Sequence, residues 1–216
     1  MEFNLVVPWA KIKIEYEHLV EHAIKEAEIP GFRKGKAPRK DVEDRLNKNE
    51  VYSKAVEKLL PGIYAGQIKK LSLKPILQPR IKLEKSGLNE DWEFSIVTCE
   101  APEIKLPADY IKQLTMQDKD KRFVWLDSQI NVVIPDILAE EEAHHRLTAL
   151  VENFTKLGLT TEQYLASKKM TPETLKADAI SQARHDLKME FILESVRVDN
   201  KLKDRKNTLD FLMGLV

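Results

Sequence analysis

Residues 80–100 read RIKLEKSGLNEDWEFSIVTCE, and this stretch decides the fold class. Two segments alternate apolar and polar residues, RIKLEK (80–85) and WEFSIVTCE (92–100), with SGLNED between them. Alternation is the period of a strand, and Gly, Asn and Asp are turn formers, so the stretch predicts a β-hairpin. Successive side chains on a strand point to opposite faces. Trp92, Phe94 and Ile96 should therefore face covering helices, with Glu93 and Ser95 toward water. A lone hairpin is marginal in water, so it needs that cover. Reading outward supplies it. Residues 50–70 carry Val51, Ala55, Leu59 and Ile63 on one helical stripe, and residues 15–28 (EYEHLVEHAIKEAE) place Leu19, Ala23 and Ala27 four apart. Between them lies IPGFRKGKAPRK (29–40), rich in turn residues, after which Pro38 suits the first turn of a short helix ending near Leu46. Residues 2–8 (EFNLVVP) form a short apolar strand. The expectation is an α+β domain, a small antiparallel sheet with helices on one face.

Beyond residue 136 the texture is helical throughout. Residues 137–157 carry Leu147, Leu150, Phe154 and Leu157 at spacings of three and four, and Gly158 follows as a stop. Thr160 with Gln163 forms a capping box, and Thr171 followed by Pro172 opens a helix with no breaker before about residue 200. At about 1.5 Å per residue such a helix is a long rod, which suggests an arm-like module. The apolar end, NTLDFLMGLV (207–216), needs a surface to cover it. The expected organisation is an elongated two-domain chain, α+β over 1–115 and all-α over 116–216.

The 216 residues carry 35 Lys+Arg and 35 Asp+Glu, so the net charge is zero and any grip on nucleic acid or anionic lipid must be a local patch. With 43% hydrophobic residues the chain folds rather than staying disordered. The single cysteine, Cys99, excludes an intrachain disulfide and a cysteine-based zinc site. No apolar run reaches the length of a membrane span, and the opening MEFNLVVPWAKIKIEYE has no basic n-region or long apolar core. These features point to a reducing cytoplasm, with no membrane partner and no cofactor.

Enzyme motifs are weak. HLVEH (18–22) matches the inverted zinc-protease pattern, with His18 and His22 on one helix face and Glu21 as base, but a third protein ligand is missing. Adjacent His144 and His145 point about 100° apart on a helix and cannot chelate together. Gly31–Lys36 is spaced G-x-x-x-G-K and is followed by Ala37, which excludes a phosphate-binding P-loop. No metal site is expected.

GFRKGKAPRK (31–40) is different. It holds Arg33, Lys34, Lys36, Arg39 and Lys40 and no acid, in a neutral protein. Gly31 and Gly35 permit positive φ, so the loop can turn tightly and project Phe32 between cations. An exposed ring flanked by Arg and Lys suits a surface that is part protein and part phosphate. The plainer alternative is an ordinary basic surface loop.

At this stretch the sequence resembles bacterial trigger factor, whose ribosome-binding signature reads G-F-R-x-G-K-x-P. Gly31, Phe32, Arg33, Gly35, Lys36 and Pro38 match in order, and Lys34 fills the variable place. The flanking strand LVVP, LKPILQPRIKLEK and FSIVTCEAPEIKLPADY are similar to the family's N-terminal domain. VVIPDILAEEEAHHRL, LGLTTEQYLASKKMTPETLKADA and LKMEFILESV are similar to one arm of its helical C-terminal domain. The FKBP-like prolyl isomerase domain usual in the family has no room between ADYIKQL and the helical part, so no catalytic residue carries over. A first N-terminal strand and the last helices also look missing. The resemblance implies an ATP-independent chaperone, not an enzyme, that docks on the large ribosomal subunit near the polypeptide exit. Phe32 would meet a ribosomal protein there, and Arg33, Lys34 and Lys36 would meet acidic side chains or rRNA phosphates. Unfolded or nascent chains would touch partly exposed Met170, Met189, Phe191, Phe211, Leu212 and Met213, methionine repacking readily against varied partners. A missing arm would leave an apolar edge, and with it a homodimer. Three other classes stay open: a vestigial isomerase or metalloprotease, an interaction module without chaperone activity, and a nucleic-acid binder.

Overall fold

The computed structural model describes residues 1–215. They form two compact units, Met1–Glu100 and Ala101–Val216. The division falls before the expected 115/116 boundary, because Ile104, Leu106, Tyr110, Ile111 and Leu114 pack into the core of the second unit.

The first unit is α+β, as the hairpin predicts. Strand β1 (Glu2–Val7) leads into helix α1 (Trp9–Glu26), a short helix α2 (Arg39–Glu43), the long helix α3 (Lys48–Leu71) and the hairpin strands β2 (Arg80–Lys85) and β3 (Trp92–Val97). The sheet is antiparallel with order β1-β3-β2, so β3 is central. Leu5 opposes Phe94 and Phe3 opposes Ile96. Leu5, Val7, Phe94 and Ile96 form one core with Ile12 of α1 and Ala55 and Val56 of α3, with Trp92 packed against it. Each large side chain buried this way contributes about 1.5–3 kcal/mol.

Local differences from the expected pattern have local causes. Helix α1 begins at Trp9 rather than 15, because Pro8 supplies an extended N-cap and the Trp9 amide donates to Asp91 Oδ1 at 2.7 Å. Its buried stripe is therefore Ile12, Tyr16 and Val20, with Leu19 and Ala23 beside it and Ala27 already outside the helix. Ser95 is buried rather than wetted: β3 lies between two strands, and the Ser95 hydroxyl donates to Glu2 Oε1 at 3.0 Å. Every residue of β2 is exposed, since the core stops short of that edge. Helix α3 runs through Pro61, which has no amide proton to give to the preceding turn. Cys99 is buried, and burial pushes its thiol pKa up.

The second unit is all-α among the described residues: α4 (Tyr110–Thr115), α5 (Arg122–Gln129), α6 (Asp136–Lys156), α7 (Thr161–Lys168), α8 (Pro172–Asp199) and α9 (Arg205–Gly214). The expected capping box at Thr160 with Gln163 is present, Thr171 caps α8 as expected and forms a second box with Thr174, and Gly158 takes φ +70° as a helix stop. No residue of α8 before Ala183 is buried, whereas Ile192, Leu193 and Val196 are core. On α6, Phe154 is buried as expected, but Leu157 lies at the helix end and is 73% exposed. The described part of the terminal apolar segment, short of Val216, is largely covered: Leu212 is buried, and Leu209, Phe211 and Leu215 pack against the same core.

Tyr110 closes this unit on itself. Its hydroxyl donates to Asp199 Oδ2 at 2.9 Å and accepts from the Asn200 amide. Burial pushes its pKa up to about 12 from an ordinary value near 10. The folded value lies above the unfolded one, so this stabilisation is complete below about pH 10 and is lost as pH rises through about 12. Tyr110→Phe is expected to cost about 1–2 kcal/mol at pH 7. It should also flatten the fall in stability between pH 10 and 12, read by urea unfolding at both pH values.

Candidate functional site

The basic loop is pinned at both ends. Ile29, just past α1, and Ala37, just before α2, are buried with Val42, and Ala23, Ile24 and Leu46 pack against them. Between these anchors the backbone turns twice, the Phe32 amide donating to the Ile29 carbonyl (3.0 Å) and the Lys36 amide to the Arg33 carbonyl (2.9 Å). The Gly35 amide donates back to the Ala27 carbonyl at 3.2 Å, which stitches the loop to the end of α1. Gly31 and Gly35 take φ +90° and +72°, the left-handed region that side chains rarely adopt. At Gly35 space is also short, since a Cβ would lie 2.7 Å from the Lys25 carbonyl oxygen.

The tip points outward. Phe32 is 46% exposed, and Gly31, Arg33, Lys34 and Lys36 are exposed. The five bases are not equivalent. Arg39 is held by Glu17 Oε2 at 2.5 Å and Glu43 Oε1 at 2.6 Å, and these hydrogen bonds, Glu17 first, raise its pKa. Lys34 sits 3.5 Å from Glu28 Oε1. Among the described residues, the side chains of Arg33, Lys36 and Lys40 have no ion pair or hydrogen bond. Pro38 occupies the N-cap of α2, one place earlier than its expected position in the first turn. The loop thus presents one aromatic ring and three uncommitted cations on a rigid base. The anchoring pair Ile29 and Ala37 could have been read as the apolar residues flanking a charged run; Glu17, distant in sequence, carried no such signal.

The other motifs do not assemble. His18 and His22 are exposed and stand 3.6 and 3.7 Å from Glu15 and Glu26. Glu15 is instead engaged by Lys58 at 2.6 Å, and that hydrogen bond lowers its pKa. The rings of His144 and His145 are 6.4 Å apart, and no metal-holding cluster exists among the described residues. Of the candidate client contacts, Met213 is 38% exposed, and Met170, Met189, Phe191 and Phe211 are half-buried. Leu212 is fully buried, which corrects the expectation that it is partly exposed: it lies on the inner face of α9. Met189, Phe191 and Phe211 gather around one core, and Met170 lies outside it.

Residues 1–136 match the family model for the bacterial trigger factor protein, and residues 106–210 match the model for the trigger factor C-terminus. The chain belongs to the trigger factor family. The two matches overlap, leaving no residues between the N- and C-terminal portions for the family's isomerase domain. The trigger factor of Mycolicibacterium smegmatis is 34% identical over 107 residues, covering 50% of this chain and 23% of the relative. That of Staphylococcus carnosus is 34% identical over 103 residues, covering 48% and 23%. The chain thus spans about a quarter of the length of these relatives. A solved structure of the trigger factor chaperone overlaps 58% of this chain and 32% of its own at 22% identity, with a TM-score of 0.36, too low to equate the two arrangements. No helix among the described residues is long and apolar enough to cross a membrane.

Proposed function

We propose that this protein is an ATP-independent, cytoplasmic chaperone that docks beside the polypeptide exit of the large ribosomal subunit through residues 31–38 and shields nascent or unfolded chains. The observation that carries the proposal is the loop tip: Phe32 is 46% exposed, and Arg33 and Lys36 are uncommitted on a base fixed by Ile29 and Ala37. A preformed tip binds without the entropic cost of ordering a loop. Phe32 would enter an apolar spot on a ribosomal protein, Arg33 would take a phosphate or carboxylate with two hydrogen bonds, and Lys36 would add a point charge. The second unit would serve as the arm, with the lightly packed first half of α8 extending from a core built on Ile192, Leu193 and Val196. Partly exposed Met170, Met189, Phe191, Phe211 and Met213 offer the spread apolar contact that unfolded chains need. A homodimer belongs to the same proposal and is measured by sedimentation equilibrium.

The test is alanine replacement of Phe32, Arg33 and Lys34 together, followed by co-sedimentation with ribosomes. Loss of a charge-assisted contact costs about 1.5–3 kcal/mol, so binding should fall at least tenfold. Unchanged co-sedimentation would falsify the docking assignment. Suppression of aggregation of a denatured client separates a chaperone from a docking module without chaperone activity.

A further inference from the structure

The first unit contains a pocket of about 370 Å³ that the loop does not use. Its walls are Trp9 at the start of α1, Tyr52 of α3 and Trp92 of β3, and its rim includes Leu83 and Leu88 of the hairpin. The Trp9 and Tyr52 rings lie 5.3 Å apart and tilted by 41°. The walls are fixed before anything binds: the Trp92 indole N–H donates to the Gly87 carbonyl at 3.2 Å, and the Trp9 amide is held by Asp91. Leu83 and Leu88 are 47% and 67% exposed, and Ile81 continues the apolar rim at 43%.

The charge pattern identifies the occupant. Charged residues make up 32% of the chain, yet none lines this pocket. Two lysines of the hairpin are paired with glutamates of the hairpin, Lys85 with Glu90 at 3.0 Å and Lys82 with Glu84 at 2.9 Å. A charged or strongly acidic ligand would leave water here for no counterion, which is costly. An uncharged ligand with an aromatic or branched apolar side chain would trade water for three rings and two leucines. Hydroxyls and amides on the rim, such as Ser53, are the size and polarity to meet a peptide backbone.

We propose that this pocket is a client site: it takes one apolar side chain of an uncharged, extended polypeptide segment. The inference rests on the chaperone reading and places a contact in the N-terminal unit, apart from the methionines of the second. The chain has three tryptophans, two of them in the pocket walls and the third, Trp125, on α5 in the other unit. That makes the test internal.

The full chain, labelled with nitrogen-15, is titrated with a blocked, uncharged hexapeptide bearing a central Leu-Phe pair. The expected result is that the indole signals of Trp9 and Trp92 move while that of Trp125 stays. Leu88→Asp and Ser53→Glu each put a carboxylate into the uncharged lining at an exposed position that does not threaten folding. Each should weaken the peptide at least about tenfold. If the peptide moves only signals of the second unit and both variants bind it as the parent does, the pocket site is overturned while the chaperone reading stands. If no signal moves and the chain also fails to protect a denatured client, both are overturned. Concentration-dependent Trp9 and Trp92 shifts without peptide would assign the pocket to a second copy of the chain and overturn the client site.

Discussion

Arg122→Met is expected to destabilise the second unit by about 3–5 kcal/mol. Arg122 is 4% exposed at the start of α5, and among the described residues its hydrogen-bond partners are backbone carbonyls. Its guanidinium instead serves two helix ends at once. Nε donates to the Leu114 carbonyl at 3.0 Å in the last turn of α4; Nη1 and Nη2 donate to the Leu212 and Leu215 carbonyls at 2.7 and 2.8 Å at the end of α9. Helix C-termini carry partial negative charge from unpaired carbonyls, which helps to compensate a buried cation there. Methionine matches the stem but leaves three carbonyls without donors in a dry place. Arg122→Lys keeps the charge but cannot fork to three acceptors, so an intermediate loss is expected. Urea unfolding read at the Trp125 indole signal of the nitrogen-15-labelled chain measures both. A loss below about 1 kcal/mol for the methionine variant would mean that the clamp contributes little beyond packing.

Gly35→Val should weaken the proposed ribosome docking by about a hundredfold, while leaving the first unit folded. Two costs add at this position. A β-branched residue at φ +72° is strained by about 1–3 kcal/mol, and its Cβ would lie 2.7 Å from the Lys25 carbonyl oxygen, a backbone atom that cannot swing aside. The least costly escape is to release the Gly35–Ala27 hydrogen bond and let the tip unfurl. Gly31→Ala is the control: φ is +90°, but a Cβ there meets nothing within 4 Å, so a cost nearer 1 kcal/mol and a far smaller effect are expected. Co-sedimentation of the two variants, with circular dichroism to confirm folding, checks the pair. Equal behaviour would show that the loop needs only flexibility, not this shape.

What could be read from the sequence was short-range. The hairpin, the capping box at Thr160, the N-cap at Thr171 and the positive-φ glycines at 31, 35 and 158 depend on residues within a few places of each other. What could not be read was set by partners far along the chain. Helix α1 starts early because Asp91 meets Trp9; Ser95 is buried because Glu2 reaches it; Arg39 is spent because Glu17 lies across from it. Arg122 and Leu212 illustrate the same limit from opposite sides. An arginine reads as surface and a terminal leucine as spare, until the fold brings one against the other. The exposed basic tip was legible because a run of cations around one phenyl ring has no core to enter. The aromatic pocket was not, since Trp9, Tyr52 and Trp92 come from three separate elements.

The central position of β3 has a bearing on how the chain itself is made. β1 is synthesised first, yet its sole sheet neighbour among the described strands is β3, and β2 also pairs only with β3. Until Val97 has emerged, no pair of strands can form. The latter half of α3, PGIYAGQIKKL, carries a proline and two glycines and is a poor helix by itself. It holds its shape by packing Ile63 and Tyr64 against a sheet that does not yet exist. The first unit should therefore stay unfolded through most of its own translation and close late, in one long-range step. During that interval its apolar segments lie open to the ribosome surface, in the same condition as the chains it is proposed to guard.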